Sequence, residues 1–183
     1  MTIVATYDTP PELARRMAYL ADKRGLAGKR VLEPNAGTGS LVRAAIDSAT
    51  GADNLRVVAV EINAHAIGEL EHQRKTIGAT EHTFRIVHAN FLDLNPVTEL
   101  GSFHAVLMNP PFGLLADTAH IDTVKHALRY LKPGGRLVAI CANGPRQKKE
   151  LQPLASTWEE LPADTFAASG THVRAVLLTI DKG

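Results

Sequence analysis

The chain has 183 residues, 45% hydrophobic and 21% charged, which suits one globular core and excludes a disordered or fibrous chain. Its formal net charge is +1, so no global basic excess announces a nucleic-acid surface. No apolar run approaches the roughly 20 residues needed to cross a bilayer, no leader pattern opens Met1-Thr2-Ile3-Val4, and the single cysteine, Cys141, excludes an internal disulfide. The expectation is a cytoplasmic protein with no membrane contact.

In chain order, residues 10–24 read as the first helix. Asp8 or Thr9 offers an N-cap, Pro10 starts the first turn, Leu13, Met17 and Leu20 share a face, and Gly25 follows the end. Residues 30–33 form a short apolar strand, followed by a glycine-rich turn and a helix over 40–50. Strand 55–61, helix 64–77, strand 83–88, strand 104–109, helix 121–131, strand 136–142, helix 146–155 and strand 175–180 continue the alternation. Segments 165–169 and 172–180, with Gly170 between them, predict an antiparallel C-terminal hairpin. Several strands are continuous apolar runs, as in sheets covered on both faces. The pattern predicts an α/β fold with a doubly wound, mostly parallel sheet. Residues 1–183 are expected to be a single domain with no separate target-recognition domain, since 91–103, 113–120 and 157–164 are the longest unassigned connections.

The turn after the first strand is Glu33-Pro34-Asn35-Ala36-Gly37-Thr38-Gly39. Glycines there let the backbone turn sharply and approach a ligand. A dinucleotide fingerprint wants another glycine where Val42 stands, and the Gly-Lys-Ser/Thr of a triphosphate loop is absent. The second strand ends at Glu61-Ile62, where an acid can accept both hydroxyls of a ribose. Together these features point to an adenosine-containing cofactor.

Asn109-Pro110-Pro111-Phe112 ends the fourth strand. Pro-Pro breaks both helix and strand, but a turn alone does not call for a carboxamide before it and an aromatic after it. Methylation of a conjugated amine does. The Asn109 side-chain oxygen and the Pro110 carbonyl can each accept one N–H, which draws the nitrogen toward tetrahedral geometry and aims its lone pair. Rigid prolines hold those acceptors, so positioning and preorganised dipoles carry the catalysis. Phe112 can stack on an extruded or single-stranded base.

On these residues the sequence resembles class I S-adenosylmethionine-dependent methyltransferases, specifically the gamma-type DNA adenine-N6 group, over nearly the whole chain. The resemblance implies a Rossmann-like methyltransferase core with S-adenosyl-L-methionine as cofactor. It assigns Thr9 and Pro10 to the methionine end of the cofactor, Glu33, Asn35, Gly37 and Gly39 to the loop, and Glu61 and Ile62 to the ribose side. Asn90 and Phe91 take the adenine position, where Asn90 replaces the family's usual Asp. Phe166 matches an aromatic near the flipped base. The implied substrate is N6 of adenine, in DNA before RNA, with little sequence specificity or with a specificity or activating partner protein. RNA adenine N6 or guanine N2, and a protein glutamine amide, share the planar NH₂ and remain open. A catalytically silent nucleic-acid-binding subunit is disfavoured by the intact motifs.

The basic run Arg146, Lys148 and Lys149 is the candidate phosphate contact, though it also reads as a solvated helix start. The eight histidines lack metal-ligand spacing and no Cys-x-x-Cys occurs, so no metal is expected.

Overall fold

A computed structural model describes residues 8–49, 54–80, 83–111 and 119–183. The first helix, α1 (Pro11–Ala21), buries Leu13, Ala14, Met17, Ala18 and Ala21 at helical spacing. It begins one residue later than expected, and Pro10 occupies its cap position without a side-chain cap. Neither Asp8 nor Thr9 caps it; both side chains are engaged elsewhere, as described below. Gly25, at φ +88°, turns the chain into β1 (Arg30–Glu33).

The alternation then runs α2 (Ser40–Ser48), β2 (Arg56–Glu61), α3 (Ala64–Thr76), β3 (Phe84–His88), β4 (Phe103–Met108), α4 (Ala119–Leu128) and β5 (Leu131–Ala142). It closes with α5 (Pro145–Leu151), β6 (Thr157–Glu160) and β7 (Ala175–Asp181). The seven strands lie in the order β3-β2-β1-β4-β5-β7-β6. The first five are parallel; β7 runs antiparallel to both β5 and β6. This is the doubly wound, mostly parallel α/β sheet expected, with an antiparallel C-terminal pair.

Neighbouring residues of the apolar runs point to opposite faces, and both faces are covered. Val31, Val57, Ala59, Ala105, Leu107, Val138 and Ile140 pack with the apolar faces of α1 and α2. Leu32, Val58, Val60, Val106, Met108, Leu137 and Ala139 pack with Ile121, Val124 and Ala127 of α4 on the other side. Cys141 is wholly buried in that second core, and its thiol is pushed up to about 12 by burial, which rules out a resting thiolate nucleophile.

Besides shifted ends of α1 and α4, three elements differ from expectation. The strand pairing with the last one is β6 at Thr157–Glu160, whereas 165–169 forms turns and a 3-10 helix, Ala167–Ser169. Thr157 and Trp158 favour extended backbone, the Thr157 and Thr179 hydroxyls meet across the strands at 2.8 Å, and Glu159 pairs with Arg16 of α1. α5 stops at Leu151 because Pro153 cannot continue it, and Gln152–Leu154 tightens to 3-10. β5 begins at Leu131, five residues early, because Leu131 pairs with Phe103 ahead of a register shift in β4.

Candidate active site

The order of β1 and β4 sets the location. From β1 the chain winds outward to β2 and β3, then returns to β4 on the other side. The loops leaving β1 and β4 therefore diverge, and open α/β sheets bind ligands in the crevice at the carboxyl ends of such strands.

The loop after β1 is anchored by three hydrogen bonds donated by its backbone N–H groups. Ala36 N–H donates to Val60 O at 3.0 Å, Gly39 N–H to Ala36 O at 2.9 Å, and Gly37 N–H to Glu61 Oε2 at 2.8 Å. Its two glycines do different work. At Gly37 (φ +53°) a β-carbon would meet no atom within 4 Å, so that side of the loop is open to a ligand. At Gly39 (φ +91°) a β-carbon would lie 2.5 Å from Gln73 Oε1 and 2.8 Å from Leu70 Cδ2 of α3. Gly39 is therefore a packing and turn requirement.

Glu33 is 3% exposed and accepts the Val42 N–H in the first turn of α2. Burial raises its carboxyl well above the usual carboxylate range; the Val42 bond opposes this, while Glu61 and Asp8 reinforce it. Glu33 Oε2 and Asn35 Oδ1 are buried without a hydrogen-bond partner among the described residues. Buried orphan acceptors are costly, and two beside an open glycine face mark where a donor-rich ligand fits.

Glu61 is 6% exposed and serves as a clamp. Its Oε1 accepts from Ile62 N–H at 2.8 Å and Asn63 N–H at 2.7 Å, and its Oε2 holds Gly37. The same carboxylate ties the end of β2 to the glycine loop. Ile62 beside it is 65% exposed, and Leu92, in the turn after β3, is 40% exposed. Phe91 is 3% exposed and packs on His126 and Tyr130, with ring centroids 4.9 and 5.1 Å away. Phe91 is thus buried and Leu92 exposed within one 3-10 turn (Phe91–Asp93) that follows β3. Asn90 caps that turn, accepting from Leu92 N–H at 3.3 Å and donating to Asp93 Oδ2 at 3.0 Å.

Asn109 follows β4, half-buried, and its Nδ2 donates to Thr9 Oγ1 at 3.1 Å. Thr9 is 5% exposed, and its neighbour Asp8 accepts from the Thr38 hydroxyl at 2.6 Å. The two residues expected to cap α1 thus lace the chain ahead of α1 to the glycine loop on one side and to Asn109 on the other. Their spacing from the helix signals a cap, and only tertiary structure shows the competing partners. Pro110 is buried, and the Pro111 carbonyl meets His120 Nε2 of α4. Phe112 lies outside the described residues.

The remaining candidates are dispersed. Phe166 is 1% exposed, within the core that includes α1 and α2. Lys148 pairs with Glu160 at 3.1 Å. Arg146 and Lys149 are exposed and, with Ile121 and Lys125, line a cavity of about 420 Å³ between α4 and α5. Among the described residues no cluster of three or more His, Cys, Asp or Glu forms a metal site, and no helix is long and apolar enough to cross a membrane.

The arrangement is an acidic cradle opposite a carboxamide-proline acceptor pair. It suits a cationic ligand with hydroxyls set against an amine that must be stripped of N–H freedom. A model of the methyltransferase small domain matches residues 17–165. The rRNA N(6)-adenosine-methyltransferase metl-5 of Caenorhabditis elegans is 27% identical over 164 residues, covering 88% of this chain and 73% of its own length. The type I restriction-modification methyltransferase subunit of Streptococcus thermophilus has a similar fold, with a TM-score of 0.81, 20% identity and 97% of this chain covered. So has a 16S rRNA N2 methyltransferase of Thermus thermophilus, in complex with AdoMet and guanosine, with a TM-score of 0.69, 17% identity and 99% of this chain covered. The chain spans 45% of the length of each of these two solved structures.

Proposed function

The chain belongs to the methyltransferase small domain family, and from that premise we propose that it methylates N6 of adenine in nucleic acid, with RNA as the substrate. It is an S-adenosyl-L-methionine-dependent methyltransferase of class I. The observation that carries the reading is Asn109. Its carboxamide stands at the carboxyl end of β4, pinned through Nδ2 to Thr9 and followed by two prolines. With its Nδ2 donating to Thr9, the carboxamide supplies its oxygen as the acceptor that an exocyclic N–H requires. The Pro110 carbonyl supplies the second acceptor.

S-adenosyl-L-methionine supplies an electrophilic methyl on a sulfonium. The residues present fit it: Glu33 Oε2 and Asn35 Oδ1 are acceptors in search of donors, and the open side of Gly37 admits a ligand against backbone. Thr9 and Pro10 border the methionine end, with Gly37 and Gly39 shaping the loop. Glu61 accepts from the ribose while holding the loop. Ile62 and Leu92 offer apolar surface to the adenine, and Asn90 accepts from its amine. No protein nucleophile is needed; the chain aligns the amine, excludes water and preorganises acceptors. Pro111 follows Pro110 in holding these acceptors, and Phe112, which lies outside the described residues, is the aromatic proposed to stack on the target base. Arg146 and Lys149 contact phosphate beside it, and Lys148 joins them by exchanging its bond to Glu160.

The motif resemblance favours DNA; the rRNA N6-adenosine relative supports RNA and tips the reading. The test is methyl transfer from labelled S-adenosyl-L-methionine onto ribosomal RNA, genomic DNA and protein, with and without a cell extract supplying a partner. N6-methyladenosine in RNA, abolished by Asn109→Ala, is the expected product. Methylation of DNA alone would overturn the substrate assignment, and label on guanine N2 or a glutamine amide would overturn the adenine assignment.

A further inference from the structure

At the opposite rim of the sheet, where β1, β4 and β5 begin, lies a second cavity of about 340 Å³ that the methyl-transfer reading leaves unused. It is lined by Lys23, Arg24 and Lys29 from the α1–β1 connection and by Lys132 and Arg136 from β5. Two carboxylates face it. Asp181 pairs with Arg136 at 2.5 Å, and Asp22 lies 3.4 Å from Lys29. Lys23, Arg24 and Lys132 have no carboxylate within ion-pair distance among the described residues.

His104 makes the pocket more than a basic surface. Its Nδ1 accepts the Arg30 backbone N–H at 2.9 Å, so the neutral ring carries its proton on Nε2. That nitrogen faces the Lys132 ammonium at 3.2 Å. Among the described residues, two donors therefore face each other across this contact. A tetrahedral oxyanion resolves the conflict, accepting from both groups at once while Lys23 and Arg24 neutralise its charge.

We propose that this pocket binds a phosphate group through Lys132, His104, Lys23 and Arg24. The group belongs either to a nucleic-acid backbone passing the far rim or to a free phosphate. β4 alone separates the two rims by roughly 17 Å, the span of about five base pairs at 3.4 Å each, so a structured polynucleotide reaches both. The binding does not depend on which amine is methylated.

The full chain is titrated with inorganic phosphate against chloride at matched ionic strength, following the His104 ring by nuclear magnetic resonance. Burial, then Lys132, Lys29 and Arg30, hold this imidazole below its ordinary pKa; phosphate should raise it. In parallel, fluorescence anisotropy measures an RNA oligonucleotide against wild type and the Lys23→Gln/Lys132→Gln variant. A His104 response, with affinity roughly tenfold weaker and a salt slope lower by about 0.7 in the variant, identifies a nucleic-acid phosphate. A His104 response with unchanged oligonucleotide binding identifies free phosphate. No His104 response overturns the proposal, even if the variant binds RNA more weakly, since two lost charges would then act only at long range. S-adenosyl-L-methionine affinity, unchanged in the variant, reports that the far rim and the cradle remain separate.

Discussion

Replacing Glu61 with Gln separates its two duties, because the substitution keeps the shape and removes one acceptor oxygen. In the folded chain the carboxylate takes three backbone N–H groups at 2.7–2.8 Å, two on Oε1 and one on Oε2. A glutamine that keeps its oxygen toward Ile62 and Asn63 turns an NH₂ toward the Gly37 N–H. The two retained bonds fall from charge-assisted to neutral, and one buried donor loses its partner at about 1–3 kcal/mol. Unfolding free energy should drop by roughly 2–4 kcal/mol, read from urea denaturation. The freed glycine loop and the lost charge should weaken S-adenosyl-L-methionine binding by ten- to a hundred-fold, equivalent to roughly 1.4–2.8 kcal/mol, read by calorimetry. Stability lost with affinity intact would reduce Glu61 to a loop clamp. Neither quantity changing would refute the placement of the carboxylate.

Asn109→Ala should bind the cofactor normally yet lose a hundred-fold or more in turnover, comparable to removing one oxyanion-hole donor; single-turnover methyl transfer checks this. Gly39→Ala combines a positive φ, at about 1–2 kcal/mol, with a collision against Leu70 and Gln73, at about 1–3 kcal/mol. A midpoint shift of several degrees in thermal unfolding is expected, and none is expected from Gly37→Ala beyond its φ cost. Glu33 has a folded pKa raised by burial, so its stabilisation is full below the ordinary carboxylate range and lost as pH rises through the folded value. Glu33→Gln should flatten that fall. Because a cation favours the charged carboxylate, cofactor affinity in the wild type should rise with pH over the same window, with proton release detectable in buffers of different ionisation enthalpy.

Much of the fold was legible because it rests on local rules. Apolar runs at 30–33, 55–61 and 104–109 mark buried parallel strands before any contact is known. What failed needed information from afar. Thr9 carries a strong cap signature, and nothing local reveals that Asn109, a hundred positions away, competes for its hydroxyl. The final hairpin was displaced because 157–160 is too short and polar to announce a strand on its own. It becomes one through β7 and Arg16. Of the candidate site, the glycine loop, Glu61 and Asn109 carried motif signals, whereas the exposure of Leu92 depends on a single turn of 3-10 helix that the sequence does not announce.

The cradle also shows where this chain departs from a sequence chosen for stability alone. Glu33 and Asn35 each keep a buried acceptor without a partner among the described residues, at roughly 1–3 kcal/mol apiece. Apolar isosteres there would give a more stable apo fold and a cleft with nothing to say to a cation. On the proposed site, ligand binding would supply their donors and so couple cofactor affinity to folding. Thermal stability should therefore climb steeply with S-adenosyl-L-methionine, and that gain should shrink in Glu33→Gln, whose apo form starts out more stable at neutral pH. A variant that gained as much from the ligand as the wild type would mean the buried carboxylate serves the fold and not the site.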